Sequence, residues 1–275
     1  MNRLVPPTAR LLGSLLAVLL ILGGGSALVP LHMREEPVQL VTVPSGQVLW
    51  VPDPAHTLPF IPDSEASCPG LVLLVLLVIG LVLTAAENRR SLPEAIDAAA
   101  VYLLAQALSG GLTLTAKNYC GYFRPNYFEG CGWNATAHAC TRAYIEGRHS
   151  FPSGHSSSSA TGATVLSLYL LRRLAQQPRV AQSWLRRAAA RLLVPAPGAV
   201  AVWVAATRVH DNWHSPADVC AGSALGAVSG ALVFKLAVEP ASSRPASTLI
   251  AGTAPRSDDA LGDAHARAAV ALEEL

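Results

Sequence analysis

Apolar runs long enough to cross about 30 Å of hydrocarbon, which takes about 20 helical residues, recur at six places along this chain. They cover approximately residues 11–28, 70–86, 95–114, 156–171, 192–206 and 217–238. Length alone would allow one or two soluble domains. However, 51% hydrophobic residues against 14% charged, with a mean hydropathy of +0.37, place the chain with multi-pass membrane proteins. The expected fold is all-α, a six-span transmembrane helical bundle over residues 1–240. The fourth and fifth runs are short and rich in small residues, with Ser156 to Thr164 reading SSSSATGAT, so they are expected as interior helices packed closely against their neighbours. The first run has a second reading as a secretory signal peptide, because Arg3 and Arg10 precede a Leu-rich stretch that ends in GGGSALVP. Beyond Glu239 the chain turns to Pro, Ser, Ala and charged residues, which cannot bury a core, so residues 241–275 are expected as a disordered cytoplasmic tail with a short helix at 263–275.

The formal charge of +2 is uninformative in total, but its distribution is not. Arg3, Arg10, Arg89, Arg90, Arg172, Arg173, Arg179, Arg186, Arg187 and Arg191 all fall on one side of a six-span arrangement. That side, with both termini, is expected to be cytoplasmic. The opposite side, extracellular or lumenal, receives the loop from Lys117 to Phe151 and the loop from Arg208 to Ser215. It also receives Asn134-Ala135-Thr136, a glycosylation acceptor that can be used only in the secretory lumen. Cys68, Cys120, Cys131 and Cys140 map there too, where oxidation is permitted, and Cys131 with Cys140 is the favoured pair. Cys220, inside the sixth run, is expected as a buried thiol.

Three polar segments sit where apolar runs meet loops: Lys117 to Pro125 (KNYCGYFRP), Phe151 to His155 (FPSGH) and Thr207 to Asp218 (TRVHDNWHSPAD). Lys117, Arg124 and Arg208 supply three cations from two loops, as a clamp on a transferring phosphoryl group requires. The two guanidiniums suit bidentate contacts and the lysine adds a compact point charge. Taken singly each could be a residue snorkelling to the headgroups, but all three break the positive-inside pattern. Pro152-Ser153-Gly154-His155 precedes a helix, so its turn can aim backbone N–H groups at an anion, Gly154 allows close approach and Ser153 can add its hydroxyl. The plainer reading is a helix start capped by Ser153 or Ser156. His214 and Asp218 are four apart and share a helix face, so Asp218 can hold the imidazole in the tautomer that leaves its other nitrogen free. Ser215-Pro216-Ala217-Asp218 also reads as a capping box, and the two roles can coexist through different carboxylate oxygens.

In this order the three segments match a signature: Lys, six residues, Arg-Pro; Pro-Ser-Gly-His; Ser or Thr, Arg, five residues, His, three residues, Asp. The chain resembles the lipid phosphate phosphatases of the type 2 phosphatidate phosphatase superfamily, over most of residues 50–238. Leu58 to Asp63 (LPFIPD) and Glu146 to Ser157 (EGRHSFPSGHSS) resemble the animal members. The resemblance implies that His214 attacks phosphorus to form a phosphohistidine. It further implies that His155 protonates the leaving alcohol and then activates water, with Arg208, Lys117 and Arg124 neutralising the phosphoryl oxygens. No metal or other cofactor is expected, since side chains supply the cations and no carboxylate cluster suits Mg²⁺. The expected partners are a lipid phosphate and the bilayer, at the plasma membrane or endoplasmic reticulum; nucleic acid is not expected, and a homo-oligomer stays open. Candidate substrates are phosphatidate, lysophosphatidate, sphingosine 1-phosphate and ceramide 1-phosphate.

Other readings compete. A relative that keeps the fold but not the activity would be expected to have lost signature residues, and none is lost here. Glucose-6-phosphatase-like and polyprenyl-diphosphate phosphatase-like activities share the motifs. His210-Asp211-Asn212-Trp213-His214 has the two-histidine spacing of a membrane metalloprotease with Asp in place of Glu, but Ser215-Pro216 starts the helix too late and no third ligand is evident. A rhomboid-like serine hydrolase lacks its second glycine at Gly154-His155-Ser156-Ser157, and soluble haloperoxidases share the motifs without the apolar runs. Asp211-Asn212-Trp213 departs from the Tyr-Lys-His type of stretch usual in the lipid phosphatases. His210 and Asp211 read as loop residues, His138 and His149 as surface residues, and Tyr119, Tyr122, Phe123 and Trp213 as aromatics at the membrane interface.

Overall fold

In the computed structural model the described residues are 29–88, 91–175 and 192–238, with isolated positions 13, 16, 184 and 188. The first expected span apart from residues 13 and 16, the expected tail, and the arginines at 3, 10, 89, 90, 179, 186, 187 and 191 lie outside them.

The described chain begins with an antiparallel hairpin of β1 (Val38–Thr42) and β2 (Val48–Pro52). Then come helices α1 (Gly70–Glu87) and α2 (Leu92–Cys120), the short α3 (Tyr127–Cys131), and a two-residue pairing of β3 (Trp133–Asn134) with β4 (Ala139–Cys140). Helices α4 (Gly154–Ala175), α5 (Ala196–His210) and α6 (Pro216–Val238) complete it. The ends follow local chemistry. Asp63 accepts the Gly70 N–H at the start of α1. Ser91 caps α2 through the Glu94 N–H. At its far end α2 stops on Gly121, which adopts φ +54° and where a Cβ would stand 1.9 Å from the His32 carbonyl oxygen, so only glycine fits.

Helices α1, α2 and α6 are long and apolar enough to cross a membrane. They correspond to the second, third and sixth expected spans, and the chain reads as an integral membrane protein on their account. Most of the α1 surface is exposed while its mean hydropathy reaches 2.6, the pattern of a helix that faces lipid. The fourth and fifth expected spans do form helices but do not meet the same standard. α4 is too polar, because Ser156, Ser157, Ser159 and Thr161 are buried inside the protein rather than turned to lipid. α5 has 15 residues, about 22 Å of helix, shortened at its start by Pro195 and Pro197.

α4 is the central element and packs against α1, α2, α5 and α6. Its tightest partner is α6, through a stripe of three glycines. A Cβ on Gly222 would lie 2.5 Å from the Ser153 carbonyl oxygen, one on Gly226 2.1 Å from that of Ser157, and one on Gly230 3.1 Å from that of Thr161. Two helices meeting backbone to backbone in this way use small residues because no side chain fits between them. Below this seam Ala98, Val101, Tyr102, Ala105, Val165, Tyr169 and Val233 form the core shared by α2, α4 and α6. Above it Phe123, Tyr127, Phe128 and Cys131 form a second cluster under the loops. Phe123 thus belongs to a core, in contrast to the interfacial place its sequence suggested. Tyr119 and Tyr122 are exposed as expected.

Cys131 and Cys140 are joined with S–S 2.10 Å. Cys220 is exposed on the outer side of α6, which corrects the expectation of a buried thiol: the glycine stripe takes the inward face, leaving Cys220 on another. Asn134 is exposed, and its side-chain oxygen accepts the amides of Thr136 and Ala137.

Gly226→Val should force α4 and α6 apart, giving a lower thermal midpoint and loss of monodisperse protein after detergent extraction. Gly198→Ala, where no atom lies within 4 Å of the added Cβ, should leave the midpoint unchanged or raise it slightly.

Candidate active site

The C-terminal ends of α2 and α5 and the N-terminal ends of α4 and α6 meet at one end of the bundle, and all three polar segments lie there. The glycine seam brings the second and third segments into contact. The Ser153 N–H donates to the Asp218 carbonyl at 3.0 Å, and the Ser150 hydroxyl donates to Asp218 Oδ2 at 2.7 Å. The Ser215 N–H donates to the same oxygen at 2.8 Å, while the Asp218 N–H reaches Ser215 Oγ at 3.3 Å, completing a capping box. His214 Nδ1 lies 3.7 Å from Oδ2 as well, longer than a hydrogen bond. The capping and orienting roles therefore converge on one carboxylate oxygen, not on two as the sequence suggested.

His214 itself is 4% exposed, and Nδ1 has no hydrogen-bond partner. Burial lowers its pKa to about 3; Lys117 and Arg124 push the same way and Asp218 opposes them. The ring is neutral at physiological pH, as a nucleophilic nitrogen must be. The loop before it is folded back, so that the Trp213 and His214 amides both donate to the Arg208 carbonyl, at 3.0 and 3.1 Å.

Arg208 is buried, its side chain 1% exposed, and a charge so placed needs a partner. Asp211 supplies it, with Oδ2 3.2 Å from Arg208 Nη2. Arg208 Nε donates to Thr207 Oγ1 at 3.3 Å. These contacts occupy two of the five guanidinium N–H groups and leave three for an anion. Asp211 is anchored in turn by Ser67, whose N–H and hydroxyl each donate at 2.7 Å, and by His210 Nδ1 at 2.9 Å. Burial would raise the Asp211 pKa, but the hydrogen bonds from His210 and Ser67 and the Arg208 charge reverse the effect and hold it below the usual carboxylate range. Asp211, read from sequence as a loop residue, is thus the counter-ion of the third motif's arginine. The signal available was its spacing of three from Arg208.

Arg124 lies in the loop after α2, held by its N–H to the Gly147 carbonyl at 2.7 Å. Its guanidinium stacks over Trp213 at 4.5 Å, and its buried Nε has no partner. Burial works against its charge, yet a guanidinium stays protonated at neutral pH. Trp213 is accordingly buried against Arg124 and Phe60, not displayed at a membrane interface. Lys117, in the last turn of α2, donates to the His149 carbonyl, and a Cβ on Gly154 would stand 3.9 Å from its Cε. His149 is partly buried by this contact and is not the surface residue expected. Burial lowers the His149 pKa, and Lys117 and Arg124 add to the effect.

In the second motif Ser153 is fully buried, and its Oγ accepts the Ser156 N–H and hydroxyl at 3.4 and 3.0 Å. It caps α4, and its own amide is taken by Asp218. The first-turn amides of Gly154 and His155 keep the unpartnered geometry of a helix start. His155 has a buried Nε2 without a partner, and Arg208, Arg124 and Lys117 all lie within its electrostatic reach. Among the described residues no group of three or more His, Cys, Asp or Glu side chains is arranged to hold a metal ion. The expected site residues are therefore brought together around three cations, with unpartnered buried nitrogens on Arg124, His155 and His214. Such a cluster of donors suits a tetrahedral oxyanion.

The sequence profile of the PAP2 superfamily matches residues 98–240, a stretch holding all three motifs. The protein named probable lipid phosphate phosphatase 4 of Arabidopsis thaliana is 29% identical over 182 residues, covering 62% of this chain and 57% of that one. Lipid phosphate phosphatase 1 of the same plant is 32% identical over 146 residues, 48% of this chain and 42% of that one. Phospholipid phosphatase 1 of Rattus norvegicus is 27% identical over 247 residues, 79% and 82% of the two chains. The alignments thus span about half the length of the two plant relatives. No solved structure matches.

Asp211→Ala should leave Arg208 buried and unpaired, costing about 3–5 kcal/mol in a thermal or denaturant titration. A neutral buried imidazole whose folded pKa lies below its unfolded value stabilises fully above about pH 6.5 and loses that contribution as pH falls toward 3. The thermal midpoint of the wild type should therefore drop between pH 7 and pH 4 by more than that of His214→Gln.

Proposed function

The chain belongs to the PAP2 superfamily, and we propose that it is a lipid phosphate phosphohydrolase working through a phosphohistidine, without a metal ion, on the extracellular or lumenal side of its membrane. The observation that carries this reading is the convergence of His214, His155, the buried Arg124 and Arg208 and the partly buried Lys117, with unpartnered nitrogens among them, at one end of an apolar helix bundle.

The mechanism follows from the chemistry of these groups. The phosphate of the substrate enters between Lys117, Arg124 and Arg208, which neutralise its oxygens and stabilise the charge of the transition state. His214 carries its proton on Nδ1, toward Asp218, so the Nε2 lone pair attacks phosphorus. The 3.7 Å separation from Asp218 shortens to a hydrogen bond as the ring gains positive charge, a tightening common on passing from a free site to a loaded one. As the P–N bond forms, the bond to the ester oxygen breaks, and protonated His155 gives that oxygen its proton. His155, now neutral, takes a proton from water as that water attacks phosphorus. The P–N bond then breaks, inorganic phosphate leaves, and His214 is neutral again. Burial and then the surrounding cations lower the His155 pKa to about 4, which assists the second half of the cycle, while the negative charge of the bound phosphate offsets those cations and supports the protonated ring in the first half.

A lipid is favoured over a soluble ester by the apolar surroundings. A cavity of about 310 Å³ lies between α1, α4 and α5, lined by Leu73, Leu77, Leu166 and Val200. It includes Ser159, one turn along α4 from His155, so a tail could follow the helices away from the phosphate site. The names of the relatives also point to lipid phosphates. Phosphatidate, lysophosphatidate, sphingosine 1-phosphate and ceramide 1-phosphate all carry the required monoester.

Purified protein should release phosphate from these lipids and not from glucose 6-phosphate, with the rate unchanged by EDTA and lost in His214→Ala. In rapid-quench experiments with ³²P-labelled lipid, wild type should retain acid-labile label on protein, and His214→Ala should retain none. Sensitivity to EDTA would return weight to a metal site. Hydrolysis of glucose 6-phosphate in preference to the lipids would overturn the substrate class, and no release from any ester would favour a non-catalytic relative.

A further inference from the structure

The segment from Pro37 to Pro52 contains no Asp, Glu, Lys or Arg, although Glu35, Glu36 and Asp53 flank it. It forms the β1–β2 hairpin, whose register sets Leu40 opposite Trp50 and Val41 opposite Leu49. Successive strand residues point to opposite faces. One face therefore carries Leu40 and Trp50, and the other Val41 and Leu49. All four are exposed, at 61%, 45%, 41% and 43% respectively. A ribbon lying on a protein in water shows one apolar face and one polar face, whereas this one is apolar on both. A two-stranded ribbon with that pattern would be marginal in water, and a single protein surface would cover only one of its faces.

The position of the hairpin shows what can cover both. The segment leading into it is tied to the last turn of α2: the His32 N–H donates to the Asn118 carbonyl at 2.8 Å, and Arg34 Nε to the Cys120 carbonyl at 2.6 Å. Tyr119 and Tyr122, exposed at 75% and 47%, stand at the same level. Exposed tyrosines at the end of a spanning helix mark the membrane interface. The ribbon thus departs from the level at which α2 leaves the bilayer, with Val38 packed on the Phe123 cluster and the Trp50 ring 6.0 Å from that of His138.

We propose that the β1–β2 hairpin lies in the interfacial layer of the leaflet on the side of the candidate site, with Trp50, Leu40, Val41 and Leu49 among the headgroups and upper acyl carbons. Deeper immersion is excluded by the backbone, because both strands have open edges whose N–H and C=O groups would be unsatisfied in hydrocarbon. At the interface, water and headgroups satisfy them. Gln39, Thr42, Ser45 and Gln47 are polar without charge, which suits that layer. This inference rests on α1, α2 and α6 as spans and is independent of the catalytic chemistry.

The full chain would be reconstituted into phosphatidylcholine vesicles, with or without bromine high on the acyl chains, and its tryptophan emission compared with that of Trp50→Phe. The difference isolates Trp50, since the other tryptophans are common to both. Interfacial depth of about 5–10 Å predicts that this difference falls about two-fold or more with bromolipid and changes little with aqueous iodide. Moving the reporter to the other face, as Val41→Trp in the Trp50→Phe background, should give the same result. Strong iodide quenching without bromolipid quenching would put the ribbon in water and overturn the proposal. Protection from both quenchers, as a second copy of the chain would give, also overturns it, as does bromolipid quenching on one face only.

Discussion

Everything at the candidate site depends on how closely α4 and α6 approach. With Gly222 against the Ser153 carbonyl and Gly226 against that of Ser157, no side chain separates the two helices. Only at that distance can the Ser153 amide reach the Asp218 carbonyl and Ser150 reach its carboxylate. Those two contacts join the Pro-Ser-Gly-His turn to the start of α6, and hence His155 to His214. In a membrane the seam is a sound way to hold them, because helix association there depends on close packing and hydrogen bonds more than on exclusion of water. It also explains the polarity of α4. A helix enclosed by four others can bury serines against their backbones, and a helix facing lipid cannot.

The second constraint is repulsion among Lys117, Arg124 and Arg208. Each is held differently. Arg208 has a buried carboxylate in Asp211, Arg124 has the π face of Trp213, and Lys117 has the His149 carbonyl. Among these three direct partners there is one formal negative charge. Asp218, Glu146 and Asp63 also act on these cations, so the site holds charges of both signs in low-dielectric surroundings, where like charges repel more strongly than in water. An anion with several oxygens relieves that repulsion, and so stabilises the folded protein as it binds. Burial, with Lys117 and Arg124 adding to it, keeps His214 neutral and a nitrogen lone pair available. On the proposed mechanism clamp and nucleophile are thus not independent parts, since the cations that would hold a phosphate add to burial in keeping the attacking group neutral.

Much of this was legible in the sequence, because hydrophobic runs and motif spacing are local properties. The runs at 70–86, 95–114 and 217–238 fall inside α1, α2 and α6, and the three motifs lie at helix ends. What was not legible depends on tertiary neighbours. Trp213 is indistinguishable in sequence from an interfacial tryptophan until Arg124 is seen beneath it. Ser150 lies in the stretch from Glu146 to Ser157 that resembles the animal members, yet its bond to Asp218 exists only because the seam brings two distant segments together. Asp211 had a local clue in its spacing from Arg208, but its worth comes from Ser67, which is far away in sequence. Cys220 was misplaced because an apolar run alone does not say which helix face turns inward. The small residues of the fourth run did mark α4 as an interior helix, but the fifth run, expected as interior too, forms α5 with Val202 and Trp203 exposed.

The segment preceding α1 bears on how a substrate could reach the clamp. It crosses the loop end of the bundle, bound at several points: the Leu58 N–H to the Pro125 carbonyl, the Phe60 N–H to Glu129, Asn212 to the Pro59 carbonyl, and Ser67 to Asp211. Phe60 packs on both Tyr144 and Trp213, so the covering also has apolar contacts of its own. A cover fastened at both ends restricts approach from the aqueous side. The bilayer side is less closed, because most of the α1 surface is exposed and the helix borders the apolar cavity that runs along α4 and α5. For an amphiphile this asymmetry matters, since its tail need not leave hydrocarbon for its phosphate to meet the cations. A soluble phosphate ester would gain nothing from such a path, so on the proposed reading the fastened cover would favour lipid esters before any headgroup is recognised.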